Sequence, residues 1–270
     1  MTRVLSGAVL IAIAIAVVWF APSLLFFAVA EGLLVLAFVE YARLAAACGL
    51  PIPAVASGAA TVLVSLGVTS FRWMDDRLTG TAVALDAILM SAFVVLAAMT
   101  LTSWRGDRDA LGRASAAVFP LLYLGLPIGA MAALRALRGR EALFLLLLTV
   151  MVSDTAQYYS GRAFGTRLLA PAISPKKTVE GAIGGVVCGA LLIVVAGAWW
   201  LPAMPIALRG LLGVALVALG IAGDLFESML KRSAGVKDSS TLIPGHGGIL
   251  DRIDALLFAA PVYCIVLKYV

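Results

Sequence analysis

About nine long apolar stretches, separated by short charged or Pro- and Gly-containing breaks, limit what this chain can fold into. A helix that crosses a membrane needs about 20 mainly apolar residues, because the hydrocarbon core is roughly 30 Å thick. The stretches are continuous rather than alternating, which favours helices over the strands of a membrane barrel. The predicted spans lie near residues 4–20, 22–39, 52–70, 82–101, 114–134, 142–160, 179–201, 204–223 and 253–269.

The composition supports this interpretation and excludes several other classes of protein. Of the 270 residues, 63% are hydrophobic and 13% are charged. Soluble domains contain roughly 45 to 50% apolar and about 25% charged residues. Disordered, collagen-like and coiled-coil chains need polar, Gly-periodic or charged heptad sequences, which this chain does not have. We therefore predict an all-α, polytopic integral membrane protein with a single membrane domain over residues 1–270.

The distribution of Lys and Arg predicts the orientation of the chain, because basic loops remain in the cytoplasm. With nine spans and a cytoplasmic N-terminus, the inner segments would hold 13 of the 20 basic residues. This favours the cytoplasmic membrane as the location, with the N-terminus inside and the C-terminus outside. Arg135, Arg138 and Arg140 oppose this orientation, since they fall in an outer segment.

Cysteine and histidine usage excludes several kinds of metal or redox site. The three cysteines, Cys48, Cys188 and Cys264, lie in separate apolar stretches without a CxxC spacing. Zinc sites and iron–sulfur clusters need several Cys or His ligands, and this chain has one histidine, His246. We expect neither these centres nor a disulfide framework.

Polar residues are concentrated in the second half of the chain. The N-terminal helices, residues 1–140, are joined by short loops, whereas residues 150–260 hold most of the clustered charge, Gly, Ser and Pro. Within that part, residues 154–178 and 224–254 are the two richest segments. We therefore expect the catalytic part of the protein to lie in residues 150–260.

Two pairs of carboxylates lie at the ends of predicted spans. Asp224 and Glu227 are three residues apart, as are Asp251 and Asp254, so each pair shares one face of a helix. The helix dipole alone could favour Asp251 and Asp254 at the start of the last helix. Four carboxylates at one membrane edge nevertheless point to a hard divalent cation such as Mg²⁺, which prefers carboxylate and phosphate oxygen.

Two further segments contain groups that suit phosphate. Ser174, Lys176 and Lys177 come just before a predicted helix, whose first amides attract anions. Gly247 and Gly248 follow His246 in a loop where backbone amides could approach an anion closely. Paired lysines at a membrane edge are also common as anchors in the headgroup region, and His246 is as suited to a structural role as to a catalytic one.

At these residues the chain resembles the phosphatidate cytidylyltransferases, also called CDP-diacylglycerol synthases. The resemblance covers roughly residues 150–260, and the first half is similar only in being a set of membrane helices. The C-terminal motif is carried by Ser228, Lys231, Arg232, Lys237, Asp238, Ser240, Pro244, His246, Gly247, Gly248, Asp251, Arg252 and Asp254. Upstream, the similar positions are Asp154, Gly161, Arg162, Gly165, Ser174, Pro175, Lys176, Lys177, Thr178, Glu180 and Gly181.

The resemblance implies transfer of a cytidylyl group from CTP to phosphatidate, giving CDP-diacylglycerol and pyrophosphate, by a Mg²⁺-dependent homodimer. On this basis the expected metal ligands, for one or two ions, are Asp224, Asp251 and Asp254, with Asp154 as a weaker candidate. The expected catalytic residues are the same three aspartates and Lys231. The expected substrate-binding residues are Ser174, Lys176, Lys177, Arg232, Lys237, Asp238, His246, Gly247, Gly248 and Arg252.

A net charge of +5, concentrated on the predicted cytoplasmic side, suits an anionic nucleotide and an anionic lipid, so we expect no nucleic-acid partner. Two alternatives remain. A related CTP-dependent enzyme, acting on a polyprenol or an archaeal ether lipid, could use the same groups. A secondary transporter could use Glu31, Asp86 or Asp154 as an ion relay, although its binding groups would lie nearer the membrane midplane.

Overall fold

The structure is a computed structural model that describes residues 2–69, 85–106, 108–243, 245 and 247–269. Its helices are α1 (Thr2–Phe20), α2 (Ser23–Ala47), α3 (Ala54–Thr69), α4 (Leu85–Ser103), α5 (Ala110–Pro120), α6 (Leu126–Leu137), α7 (Gly139–Phe164), α8 (Val179–Trp200), α9 (Ile206–Ser233) and α10 (Leu250–Lys268). A π-helical turn, Leu121–Gly125, joins α5 to α6, so these two helices form one rod.

The helical, polytopic architecture predicted from the apolar stretches is confirmed. Within the described ranges, six rods are long and apolar enough to cross a membrane: α2, α4, the α5–α6 rod, α7, α8 and α9. Helices α1, α3 and α10 coincide with three other predicted spans, but they do not belong to this set. The count of nine membrane spans therefore stays a prediction.

The helices near the polar segments run further than predicted. Helix α7 continues to Phe164 and α9 to Ser233, beyond the predicted ends of those spans at residues 160 and 223. Lys231 and Arg232 lie in the last turn of α9, where basic side chains interact favourably with the negative end of the helix dipole. As a result, Asp224 and Glu227 lie on a continuous helix rather than after its end.

A short antiparallel hairpin between α7 and α8 was not predicted. Strand β1 (Leu168–Ala170) pairs with β2 (Ser174–Thr178), with Leu168 opposite Thr178 and Ala170 opposite Ser174. Neither strand alternates apolar and polar residues over the length that identifies a strand from sequence. The hairpin places both lysines of the Lys176–Lys177 pair on β2, just before α8 as predicted.

Glycines allow α8 to pack closely against α7 and α9. A Cβ atom at Gly185 would lie 2.5 Å from Cγ of Gln157, and one at Gly213 would lie 2.5 Å from Cα of Ala190. Close approach through small residues is a common way for membrane helices to associate. The opposite side of α8 presents Ile183, Val187 and Leu191 outward, as expected of a surface that faces lipid.

Arg135, Arg138 and Arg140 lie at one end of the helix bundle, here called the arginine end. Their contacts explain why these residues oppose the orientation predicted from charge. Arg135 donates to the carbonyls of Val18 and Ala21 at 3.1 Å each, and Arg138 donates to the carbonyl of Leu267. Arg140 donates to the carbonyl of Trp19 at 3.3 Å. The three side chains thus satisfy free carbonyls at the ends of α1 and α10.

An aromatic cluster lies beneath the opposite end of the bundle. The rings of Tyr41, Phe119, Tyr123, Phe226 and Phe258 form a connected set, with neighbouring centroids 5.0 to 6.4 Å apart. Pro120 has no N–H to bond to the carbonyl of Ala116, and the Tyr41 hydroxyl donates to that carbonyl at 2.8 Å. The cluster thereby ties α2, the α5–α6 rod, α9 and α10 together below the polar residues of that end.

Candidate functional site

The predicted site residues that the structure describes lie at the end of the bundle opposite the arginine end, here called the site end. The C-terminal parts of α2, α7 and α9 meet there with the hairpin, the described loop residues 234–243 and 247–249, and the first turn of α10. The two polar segments identified from sequence are therefore adjacent in space, although about 50 residues separate them in the chain.

The hairpin brings a lysine to a carboxylate of α9. The ammonium group of Lys177 contacts Oδ2 of Asp224, and Oγ of Ser228 lies 3.5 Å from Oδ1 of the same aspartate. The hairpin is fixed where it enters α8, because the amide of Val179 donates to the carbonyl of Arg167 at 2.9 Å. A lysine predicted to bind substrate thus lies against a carboxylate predicted to bind metal, a contact that the sequence analysis did not predict.

Thr178 begins α8 and also packs against α7. Its Oγ1 accepts a hydrogen bond from the amide of Gly181 at 3.1 Å, which is the usual contact of a helix N-cap. A Cβ atom at Gly165 would lie 2.8 Å from Cγ2 of Thr178, and one at Gly161 would lie 2.9 Å from its Oγ1. The two glycines therefore allow the start of α8, and with it the hairpin, to lie directly on the end of α7.

Three carboxylates from three helices repel one another at the site end. Asp154 on α7, Asp224 on α9 and Asp254 on α10 lie close enough for their charges to interact. Within the ranges that the structure describes, no three Asp, Glu, His or Cys side chains converge closely enough to enclose a metal ion by themselves. Mg²⁺ is commonly held by one or two carboxylates together with substrate phosphates. The hard oxygen donors of this cluster suit that mode of binding.

A buried lysine connects the other two carboxylates of the site end. The ammonium group of Lys231 lies 2.5 Å from Oε2 of Glu227 and 2.5 Å from Oδ1 of Asp251. Glu227 is 0% exposed and Lys231 is 8% exposed. Oε1 of Glu227 has no hydrogen-bond partner among the described residues. Two buried carboxyl groups therefore share one buried ammonium group.

Asp251 also organises the loop that precedes α10. Its Oδ2 accepts hydrogen bonds from the amides of Gly248 and Ser239, at 2.7 and 2.9 Å, and lies 2.7 Å from Oγ of Ser239. Its Oδ1 faces Lys231. Both oxygens of Asp251 are thus occupied by donors from the protein.

The glycines of the loop permit these contacts. Gly247 has a φ of +80°, and a Cβ atom there would lie 2.5 Å from Oδ2 of Asp251. A Cβ atom at Gly248 would lie 2.4 Å from the carboxylate oxygens of Glu40. Sequence analysis predicted that these glycines let backbone amides approach an anion. In the structure, the anionic groups next to Gly248 are the carboxylates of Asp251 and Glu40.

The remaining predicted substrate-binding residues surround this centre. Arg232 is exposed and donates to the carbonyl of Val236 at 3.1 Å. Ser174 is half-buried at the start of β2. The exposed members are Lys176, Lys237, Asp238 and Arg252. His246 and Pro244 lie outside the described residues.

Sequence analysis missed one residue that the structure places in the centre of the site end, Glu40 of α2. It lies just beyond the predicted end of the second span at residue 39, and so it resembled a loop residue. Helix α2 in fact continues to Ala47, and Glu40 is 3% exposed. A carboxylate on a mainly apolar helix was the available signal, since such groups are usually functional.

Comparison with known proteins finds a matching family model and several similar proteins. A family model described as the cytidylyltransferase family matches residues 1–270. A phosphatidate cytidylyltransferase from Haemophilus influenzae is 47% identical over 134 residues, which are 46% of this chain and 45% of that protein. One from Pseudomonas aeruginosa is 46% identical over 127 residues, 45% of this chain and 47% of that protein.

A third relative is similar over more of its length. A phosphatidate cytidylyltransferase from Staphylococcus saprophyticus is 32% identical over 218 residues, 81% of this chain and 80% of that protein. The similarity therefore spans less than half of the Haemophilus and Pseudomonas proteins and about four-fifths of the Staphylococcus protein. It also extends well beyond the 150–260 segment that carries the motifs.

Proposed function

Because this chain belongs to the cytidylyltransferase family, we propose that its site end is where CTP reacts with phosphatidate. The protein is a nucleotidyltransferase of phospholipid biosynthesis, and its products are CDP-diacylglycerol and pyrophosphate. The observation that carries the proposal is the meeting of Lys177 with Asp224 beside two further carboxylates, Asp154 and Asp254. Cations for phosphate and oxygen ligands for a metal ion are thereby available in one place.

The reaction requires one bond to form and one to break at the α-phosphorus of CTP. A phosphate oxygen of phosphatidate attacks this phosphorus, and the bond to the oxygen that bridges to the β-phosphate breaks as pyrophosphate leaves. Phosphatidate is already anionic near neutral pH, so the attack needs no dedicated general base. Catalysis then depends on positioning and on neutralisation of charge, as in other phosphoryl transfers.

Residues of the hairpin and of α9 supply the positive charge in this proposal. Lys176 and Lys177 on β2, with Arg232 at the end of α9, face the region where the nucleotide triphosphate would enter. Lys237 and Arg252 are exposed beside them and are available to the phosphate of the lipid. Ser174, Asp238, His246, Gly247 and Gly248 complete the proposed substrate-binding set.

We propose that Asp224 and Asp254, supported by Asp154, hold Mg²⁺ together with the phosphates of CTP. When bound, the ion would neutralise phosphate charge and orient the α-phosphate for attack. Mutual repulsion of the three carboxylates supports the proposal, since a cation would relieve it. Asp251 can bind a metal ion through Oδ1 only if its ion pair with Lys231 breaks. Of the three expected metal ligands, it therefore needs the largest rearrangement.

The membrane arrangement supports a cytoplasmic site. Successive described helices run in alternating directions between the two ends, so nine spans would place the site end on the same side as the N-terminus. We propose that this side is the cytoplasm, where CTP is made, and that the protein is a multi-pass protein of the cytoplasmic membrane. The resemblance to the family also leads us to propose a homodimer, which the detergent-corrected mass of the purified protein would test.

The reaction can be tested directly with purified protein in detergent, Mg²⁺, radiolabelled CTP and phosphatidate. We expect label to enter the organic phase only when phosphatidate is present, and transfer to stop when EDTA removes the metal. Transfer to a polyprenol or an archaeal ether lipid, but not to phosphatidate, would contradict the proposed substrate. If protein that elutes as a single folded species transfers no label to any lipid tested, the proposed reaction itself would be contradicted.

A further inference from the structure

Glu40 holds together the parts of the site end that come from the distant C-terminal segment. It lies on α2, about 200 residues before its partners in the chain, and it is 3% exposed. Its Oε1 accepts from the hydroxyl of Ser240 at 2.7 Å and from the amide of Ile249 at 3.0 Å. Its Oε2 accepts from the amide of Leu250 at 2.8 Å and lies 2.9 Å from Oγ of Ser239.

These contacts provide α10 with an N-cap from another helix. Ile249, the residue at the cap position, contributes no side-chain hydrogen bond to the first amides of the helix. The carboxylate of Glu40 accepts from the amide of the cap residue, Ile249, and from the first helical amide, that of Leu250, and it places a negative charge at the positive end of the helix dipole. The start of α10 is therefore fixed by α2 rather than by its own sequence.

The same contacts reach the charged residues of the proposed reaction. Ser239 lies between Glu40 and Asp251, and Asp251 in turn faces Lys231. Asp254 follows three residues after Asp251 on α10, so its position also depends on where the helix begins. Gly248 is confined between these groups, because a Cβ atom there would lie 2.2 Å from Oγ of Ser239 and 2.4 Å from Glu40.

We propose that Glu40 is a positioning residue for cytidylyl transfer, fixing Ser239, Ser240 and the start of α10 so that Asp251, Lys231 and Asp254 face the substrates. Glu40 itself touches neither CTP nor lipid in this proposal. The inference rests on the proposed function for its reaction, whereas the structural part, that Glu40 holds Ser239, Ser240 and the start of α10, stands on the contacts alone.

Glu40→Gln tests the proposal because glutamine keeps the shape of the side chain and replaces one of its two hydrogen-bond-accepting oxygens. The carboxylate faces two hydroxyls and two backbone amides, whereas a glutamine amide offers one acceptor oxygen and one NH₂ group. A hydroxyl can rotate to accept from that NH₂, but a backbone N–H cannot, so either Ile249 or Leu250 loses its partner. We expect kcat to fall about 10- to 100-fold, the range typical when a residue that orients a ligand is lost. The KM for CTP should change much less.

Glu40→Asp serves as the conservative variant, because it keeps the charge and all the acceptors on a shorter side chain. We expect it to recover part of kcat relative to Glu40→Gln. Glu31→Gln is the matched control, since Glu31 lies on the same helix and bonds Ser65 instead of the loop. We expect Glu31→Gln to retain the kcat of the wild type.

Hydrogen exchange by mass spectrometry measures the holding role without any reaction. Peptides covering residues 239–250 should exchange faster in Glu40→Gln than in the wild type or Glu31→Gln, in protein that elutes as one folded species from detergent chromatography. Unchanged exchange would overturn the inference, as would faster exchange with an unchanged kcat, or a Glu40→Gln enzyme as active as Glu40→Asp. An inactive wild type whose exchange responds as expected would instead contradict the proposed function and leave Glu40 as a structural cap only.

Discussion

Lys231 lies between two buried carboxylates, so most of its charge is committed to the protein before any phosphate arrives. Sequence analysis predicted a catalytic role for Lys231, and the structure adds that it pairs with Glu227 and Asp251. Its catalytic contribution can therefore act through the placement of Asp251. Glu227 was recognised as one of four clustered carboxylates, but a sequence cannot show that its side chain is completely buried.

Replacing Lys231 by Met should destabilise the protein severely. Removal of one partner from a buried ionic group costs about 3 to 5 kcal/mol, because the remaining charges stay uncompensated. Thermal unfolding in detergent should show a clearly lower midpoint than in Lys237→Met, where the lysine removed is exposed. The double variant Lys231→Met with Glu227→Gln should recover part of the loss. An unchanged midpoint in Lys231→Met would show that this lysine is not needed to balance the buried charges.

Asp251→Asn should abolish turnover, which here means a fall of about 100-fold or more relative to the wild type, in protein that remains folded in detergent. An asparagine lacks the charge that pairs with Lys231, and it has one acceptor oxygen where the carboxylate has two. Asp86→Asn, an exposed change in the first turn of α4, should retain normal turnover in the same CTP assay. Near-normal turnover of Asp251→Asn would remove Asp251 from the proposed catalytic and metal-binding sets.

Much of the site could be predicted from sequence because its residues form two dense polar segments in an apolar chain. Spacing alone placed Asp224 with Glu227 and Asp251 with Asp254, since helical periodicity determines which residues share a face. The contact between Lys177 and Asp224 could only be expected in general terms, because it depends on a hairpin that has no clear sequence pattern. Glu40 could not be assigned, since its partners lie about 200 residues away in the chain.

The packing of α8 against α7 determines where the hairpin lies, because β2 leads directly into α8. Gly185 is confined by Gln157 and Ser153 of α7, with Ser153 Oγ 3.0 Å from the position that a Cβ atom would take. The apolar stretches predicted both helices but not which of their faces meet. The glycines of α8 were interpreted only as aids to packing, and the structure shows the contacts that they allow.

Gly185→Leu should push α8 away from α7 and displace the hairpin with its two lysines. We expect lower yield of folded protein, a lower unfolding midpoint and, in whatever protein folds, a higher KM for CTP. Gly32→Leu offers the matched change, because nothing lies within 4 Å of the Cβ position at Gly32 on α2. That variant should keep wild-type stability, and equal behaviour of the two variants would contradict the importance of close packing between α7 and α8.

The whole molecule has two chemically different ends, the site end and the arginine end. Its orientation in the membrane is described by which of them faces the cytoplasm. Counting Arg and Lys gave the predicted orientation, with Arg135, Arg138 and Arg140 against it. In the structure these three donate to carbonyls at the ends of α1 and α10, so they satisfy backbone groups of the protein. Sequence alone could not separate such arginines from those that set topology.

Cysteine labelling can test this orientation. Cys48 is exposed at the C-terminal end of α2, on the site end, whereas Ala203 lines a cavity with Arg138 at the arginine end. In a Cys188→Ser background, a membrane-impermeant maleimide should label Cys48 only after cells are opened. A cysteine introduced by Ala203→Cys, in a chain whose Cys48 is also replaced by Ser, should be labelled in intact cells. The reverse pattern would place the site end outside the cell.

The two ends of α10 are held by parts of the chain that are synthesised much earlier. Its first amides bond to Glu40 of α2, and the carbonyl of Leu267 near its end bonds to Arg138. During insertion into the membrane, both of these charged side chains therefore lack these partners until α10 has left the ribosome and docked. The arrival of α10 gives both charged side chains these partners and brings Asp251 and Asp254 to the site end, so the site end is incomplete until the last helix has docked.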